Sequence, residues 1–193
     1  MAVVIHRYDP PERFVAGTVG PPGQRTFFLQ ARAGNRVTSV ALEKEQVAVL
    51  AERIGDLLDQ IAEQTDLDTS ATSDPPVDAE PLEQPIVEEF RAGTMTLAWD
   101  GDDEVVAIEV FPVEETPDEP SAGAEDPPEE LEVAPEVEEL LLVRVPAATA
   151  RGFVGRALAV VSAGRPACPF CGGPIDPDGH LCPRANGLRR TAQ

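Results

Sequence analysis

Two stretches of this chain cannot contribute to a core, and between them they divide it. Residues 65–85 are rich in Ser, Thr, Asp and Pro with little apolar content, and residues 114–139 carry twelve acidic side chains, several prolines and no basic residue. Self-repulsion and the want of apolar anchors predict a linker in the first stretch and a disordered acidic insertion in the second. Two apolar blocks remain, 1–64 and 86–164, followed by a short C-terminal segment, 165–193.

The first block opens with strands. Residues 3–9, 13–19 and 25–33 are separated by Asp9-Pro10-Pro11 and by Gly20-Pro21-Pro22-Gly23, both strong turn signals. After Gly34-Asn35 comes a further strand over 36–42. From Glu43 the period changes: Val47, Leu50, Ala51, Ile54, Leu57, Leu58 and Ile61 fall at the three- and four-residue steps of an amphipathic helix running to about Glu63. The second block repeats the order. Strands are expected over 87–99, 104–111 and 140–145, with a hairpin turn at Asp100-Gly101-Asp102. Pro146 then opens a second helix carrying Phe153, Val154, Ala157, Leu158, Val160 and Val161, and Gly164 ends it.

Local sequence repeats as well. Phe14-Val15-Ala16-Gly17-Thr18-Val19 returns as Phe90-Arg91-Ala92-Gly93-Thr94-Met95. The shared order of elements favours an internal duplication over chance similarity of two short strands. The fold class expected is α+β: two similar antiparallel-strand-plus-helix halves forming one domain, whose sheets join or pack together, with a small C-terminal zinc-binding module.

That module is read from Cys168-Pro169-Phe170-Cys171 and His180-Leu181-Cys182. A Cys-x-x-Cys turn points two sulfurs at one ion, and alternate residues of an extended stretch put His180 and Cys182 on one face. Three thiolates and one imidazole complete a tetrahedral zinc shell, so Cys168, Cys171, His180 and Cys182 are the candidate ligands. With four protein ligands no water is activated, and the expected role of Zn2+ is structural. Redox chemistry of Cys168 and Cys171 is the main alternative; an iron–sulfur cluster would want a fourth cysteine. Cysteines number only three, all within this segment, which does not suit a disulfide framework.

Charge narrows the partners. A formal net charge of -20 repels nucleic-acid phosphates and anionic membranes. Arg184, Arg189 and Arg190, just after the candidate ligands, are the one place where an RNA or another anion could be met; they also offset the negative charge of a zinc–thiolate centre. No apolar run reaches the ~20 residues of a membrane helix, and the start lacks a signal-peptide layout, so a cytoplasmic protein is expected. His6 reads as a packed or surface strand residue, Gly20-Pro21-Pro22-Gly23 as a turn without phosphate-binding amides, and Trp99 as a sheet residue near a hairpin. No nucleophile elbow, Walker loop, dinucleotide fingerprint or metalloprotease helix occurs, and no catalytic residue is assigned.

Arg7-Tyr8-Asp9, the run Pro11 to Gly20, and the C-terminal motif from Cys168 through Gly179-His180-Leu181-Cys182-Pro183-Arg184-Ala185-Asn186-Gly187 resemble an actinobacterial repeat-type family known only as a domain of unknown function. The resemblance implies actinobacterial origin and a cytoplasmic setting, and brings no activity. Sequence therefore points to a non-enzymatic, zinc-stabilised adaptor or regulatory protein that binds another macromolecule, foremost a protein. The alternatives are an enzyme or small-molecule sensor with a pocket between the two halves, and RNA binding through the zinc segment.

Overall fold

A computed structural model describes residues 3–21, 23–64, 78–113, 138–163, 168–172, 175, 180–184 and 189–190. The elements run β1 (Val3–Tyr8), β2 (Arg13–Val19), β3 (Thr26–Ala33), β4 (Arg36–Leu42), α1 (Lys44–Gln64), β5 (Glu88–Asp100), β6 (Val105–Pro112), β7 (Glu138–Pro146) and α2 (Ala147–Ser162), then β8 (His180–Leu181) and β9 (Arg189–Arg190). Strands β1 to β7 form one mixed sheet in the order β1-β7-β6-β5-β4-β3-β2. Each block supplies an antiparallel meander followed by a helix, β2-β3-β4-α1 and β5-β6-β7-α2, and the meanders join where β4 lies parallel to β5.

β1 falls in the 1–64 block by position, yet it pairs in parallel with β7 of the second block, Val3 opposite Glu138 and Tyr8 opposite Val143. Alternation along a strand reports which face is buried but not which neighbour completes the ladder. Curvature of the sheet explains how the chain accommodates this crossing. In a flat sheet β1 and β4 would stand four strand spacings, about 19 Å, apart. Instead the Tyr8 hydroxyl donates to Thr38 Oγ1 at 2.8 Å, and the Arg36 guanidinium lies 4.3 Å above the Tyr8 ring. The sheet is rolled, bringing its β1 edge across to β4.

Both helices lie on the concave face and touch each other. α1 buries Val47, Leu50, Ala51, Ile54, Leu58 and Ile61, the stripe that its periodicity marked out. Gln46 turns back to accept from the Glu43 N–H at 2.8 Å, a capping interaction at the helix start, and donates to Ala92 O and Gly93 O of β5. From α2, Ala150, Phe153 and Ala157 enter the same core, where Phe153 stacks on Phe14 of β2 with ring centroids 4.6 Å apart. Arg25 donates to Ala163 O and so satisfies a carbonyl at the end of α2.

The linker expectation is narrowed. Residues 65–77 lie outside the described residues, but 78–86 pack on the convex face of the first meander. Leu82 is buried there against Val15, Phe28 and Ala41, with Ile86 beside them. Gln30 Oε1 accepts from the Glu83 N–H at 2.7 Å, while its amide donates to Ser39 Oγ and Glu83 O. The acidic insertion lies outside the described residues up to 137, and its last two residues, Glu138 and Glu139, begin β7.

Candidate metal centre and arginine-lined cavity

Too few apolar residues occur in the C-terminal segment for an ordinary core. Cys168, Ile175 and Cys182 form its only buried cluster among the described residues, with Cys171 packed against them. The turn after Cys168 closes through Gly172 N–H to Cys168 O at 2.8 Å, and Gly172 sits at φ 74, a left-handed conformation that glycine adopts without strain. This turn brings Cys171 back beside Cys168. Cys182 directly follows strand β8, whose backbone pairs Leu181 with Arg189 and His180 with Arg190.

The sulfurs of Cys168, Cys171 and Cys182 all lie within 4.8 Å of one another, and those of Cys168 and Cys182 are 3.7 Å apart. No disulfide joins Cys168, Cys171 and Cys182. Such a cluster of thiols can hold a metal ion. Burial works against ionisation of Cys168, yet the main-chain N–H groups of Cys171 and Phe170, joined by the thiols of Cys182 and Cys171, bring its pKa down to about 6. Cys182 moves the other way, pushed up by burial and by its closeness to Cys168. A thiolate is the metal-binding form, and the lowered pKa favours that form at Cys168. The structure thus gathers three of the four residues expected from sequence. His180 has its backbone in β8, two positions before Cys182, and its side chain lies outside what is described. Of the nearby arginines, Arg184 donates to Phe170 O at 3.3 Å, folding back on the cysteine turn; the side chains of Arg189 and Arg190 are likewise outside the described set.

Elsewhere, His6 faces the concave side. Its Nδ1 is 3.4 Å from Thr38 Oγ1 and its ring centroid 6.5 Å from that of Phe90, while Nε2 is buried without a hydrogen-bond partner.

Sequence reasoning missed a second constellation. Between edge strand β2 and helix α2 lies a cavity of about 160 Å³ lined in part by Arg13, Phe14, Asp78, Thr149, Phe153 and Arg156. Asp78 Oδ2 accepts from Arg13 Nε at 2.6 Å, and Asp78 Oδ1 from Arg13 Nη2 at 2.9 Å and Arg156 Nη1 at 2.8 Å. Arg156 also donates to Ala16 O on the free edge of β2, to Glu80 O and to Asp78 O. The Arg13 hydrogen bonds hold the Asp78 carboxyl below its ordinary range, against the opposing effect of burial. Burial lowers the pKa of Arg156 while Asp78 supports its charge. No local motif announces these residues: the two arginines come from opposite ends of the chain and Asp78 from the expected linker.

Among the described residues no helix is long and apolar enough to cross a membrane. No curated protein and no solved structure matches this chain. A family model described as "Protein of unknown function (DUF3090)" matches residues 6–182 of the 193, and the chain belongs to that family.

Proposed function

We propose that the C-terminal segment is a structural zinc module and that the protein is a non-enzymatic adaptor or regulatory protein binding another macromolecule. The observation that carries the metal reading is the 3.7 Å between the sulfurs of Cys168 and Cys182. Zinc–sulfur bonds of about 2.3 Å in a tetrahedron put two sulfurs about 3.8 Å apart, whereas a disulfide would need about 2.05 Å. His180 is the fourth ligand in this reading, two residues from Cys182. Four protein ligands leave no open position for a reacting water, and zinc supplies folding free energy to a segment with three buried residues among those described.

The adaptor reading is supported by the convex face of the second meander and β1, which no described residue covers and where Ile5 and Phe111 are exposed. Metal analysis of protein purified without added metal tests the zinc module. About one zinc per chain is expected, with a tetrahedral thiolate spectrum on cobalt substitution; stoichiometry unchanged in Cys168→Ser and Cys182→Ser would sink it. For the adaptor, capture of one reproducible protein partner that Ile5→Glu or Phe111→Glu abolishes is expected. Capture indifferent to both substitutions would remove this face from the proposal.

Another observation favours a small-molecule sensor with a pocket between the two halves: the arginine-lined cavity has β2 of the first block on one wall and α2 of the second on the other. An origin of the halves by duplication is inferred too. Supporting it are the common order of three strands and a helix, the inward, buried Phe14 and Phe90, and the lack of room for a Cβ at Gly17 and Gly93.

A further inference from the structure

On the reading of a pocket between the halves, we propose that Arg13 and Arg156 form a binding site for a small carboxylate- or phosphate-bearing molecule, and that Asp78 is its internal occupant. Both guanidiniums are withdrawn from water, their side chains 11% and 8% exposed. A buried arginine needs an anion, and here one carboxylate serves two. The Asp78 oxygens take Arg13 through its Nε and Nη2 fork and reach Arg156 Nη1 with the same Oδ1. That is the geometry in which a free carboxylate or phosphate binds paired guanidiniums. The other acidic groups nearby do not cancel the second positive charge. Glu12 pairs with Arg32, and Glu83 stands 3.7 Å from Arg13 with its side chain 43% exposed to screening water.

The surroundings of Asp78 have the character of a bound peptide. Arg13 and Arg156 donate to the main-chain oxygens of Glu80 and Pro81 as well as to its carboxylate. Beside it the cavity of about 160 Å³ stays open, with the stacked Phe14 and Phe153 rings as an apolar wall. At ~30 Å³ of liquid volume per water, that space takes a molecule of several non-hydrogen atoms. A ligand enters there with its anionic group on the arginines, exchanging with the Asp78 carboxylate, and its apolar part on the rings.

The test follows the Arg13 and Arg156 Nε–H signals of the full-length protein by NMR. Sodium phosphate, sodium acetate and acetamide are titrated separately across the millimolar range, with sodium chloride holding ionic strength constant. Saturable shifts with phosphate or acetate, but not with acetamide, are expected, and the stronger of the two assigns the ligand as phosphate or carboxylate. Asp78→Asn is expected to raise the apparent affinity about tenfold or more, because an internal occupant present nine-tenths of the time leaves a tenth of the molecules competent. Arg13→Lys keeps the charge, loses the fork and is expected to abolish most of the response; Arg156→Lys serves if that variant does not fold. Equal responses to acetamide and acetate would overturn the anionic assignment and leave the pocket standing. Silence towards all three compounds, in both wild type and Asp78→Asn, would overturn the pocket as well and mark the arginines as a structural clamp.

Discussion

The two meanders share an order of elements and differ in what covers them. In the first, Val15, Phe28, Gln30, Ser39 and Ala41 on the convex face are buried beneath residues 78–86, with Leu82 seated at the centre. In the second, the convex positions are half-buried or exposed: Thr96, Ala98, Ala107, Glu109, Phe111, Leu140 and Leu142. The connection after α1 is therefore a third layer for one half, whereas the described residues supply no such layer to the other. A unit of three strands and a helix can present its convex face to a strap or to solvent without changing its concave core.

The strongest test of likeness between the halves is the pair of inward phenylalanines. Phe14 and Phe90 are 4% and 9% exposed, so truncation to Ala is expected to cost about 3–5 kcal/mol in each. Phe14, stacked on Phe153, should lie at the upper end. Urea unfolding of the two variants measures both. A Phe90→Ala cost below about 1 kcal/mol, the range of an ordinary surface change, would break the equivalence.

Glycine substitutions should separate the halves instead. A Cβ at Gly93 would lie 2.6 Å from Pro112 O and 2.9 Å from the Val113 Cα, both fixed backbone atoms where β5 and β6 slip register. Gly93→Ala is expected to cost about 2 kcal/mol. At Gly17 the three atoms nearest the new Cβ all belong to the Leu82 side chain, also from 2.6 Å, and that side chain belongs to the strap. Gly17→Ala should therefore cost less, and the loss should disappear in the Leu82→Ala background, a coupling that a double-mutant cycle reads directly. Additive effects would show that the cost at Gly17 does not come from Leu82.

Much of this comparison was legible in the chain itself. Strand and helix limits fall within a residue or two of those expected for most elements, because alternation over 36–42 and the stripe from Val47 to Ile61 are periodic signals. The three clustered thiols were legible for another reason: Cys-x-x-Cys and His-x-Cys are local, and short turns fix their geometry. What escaped notice is non-local. One leucine in a polar stretch, Leu82, has no periodicity to reveal it, and the convergence of Arg13, Asp78 and Arg156 depends on how the rolled sheet places β2 against α2. The partner of β1 was hidden for the same reason.

Acid should loosen the strap of the first half. The Asp78 carboxyl is held below its ordinary pKa, first by the Arg13 hydrogen bonds. Stability contributed by a depressed acid is present in full above its unfolded pKa, about 4, and fades as the pH falls through the folded value. Asp78→Asn is accordingly expected to cost roughly 1–2 kcal/mol at pH 7, between the values for exposed and buried pairs. The gap to wild type should narrow below about pH 4 in denaturation curves. A gap independent of pH would mean that the main-chain contacts of 78–81, rather than the carboxylate, hold the strap.

The smallest effect belongs to the part of the connection that precedes the strap. Residues 65–77 contain no periodic apolar positions, only Leu67 and Val77 among larger aliphatic side chains. On that composition their expected energetic role is to close a loop between α1 and Asp78, and closure entropy rises only logarithmically with length. Doubling this stretch with Gly and Ser is thus expected to cost about 0.6 kcal/mol, near the limit of a careful melting comparison. Carrying a Gly–Ser replacement on through Leu82 is a different perturbation. It removes the carboxylate between Arg13 and Arg156 and uncovers Val15, Phe28 and Ala41 together, so its cost should exceed that of the insertion several-fold. Similar losses from the two changes would show that the layer over the first half begins earlier than Asp78, and that the boundary between tether and strap has been drawn too late.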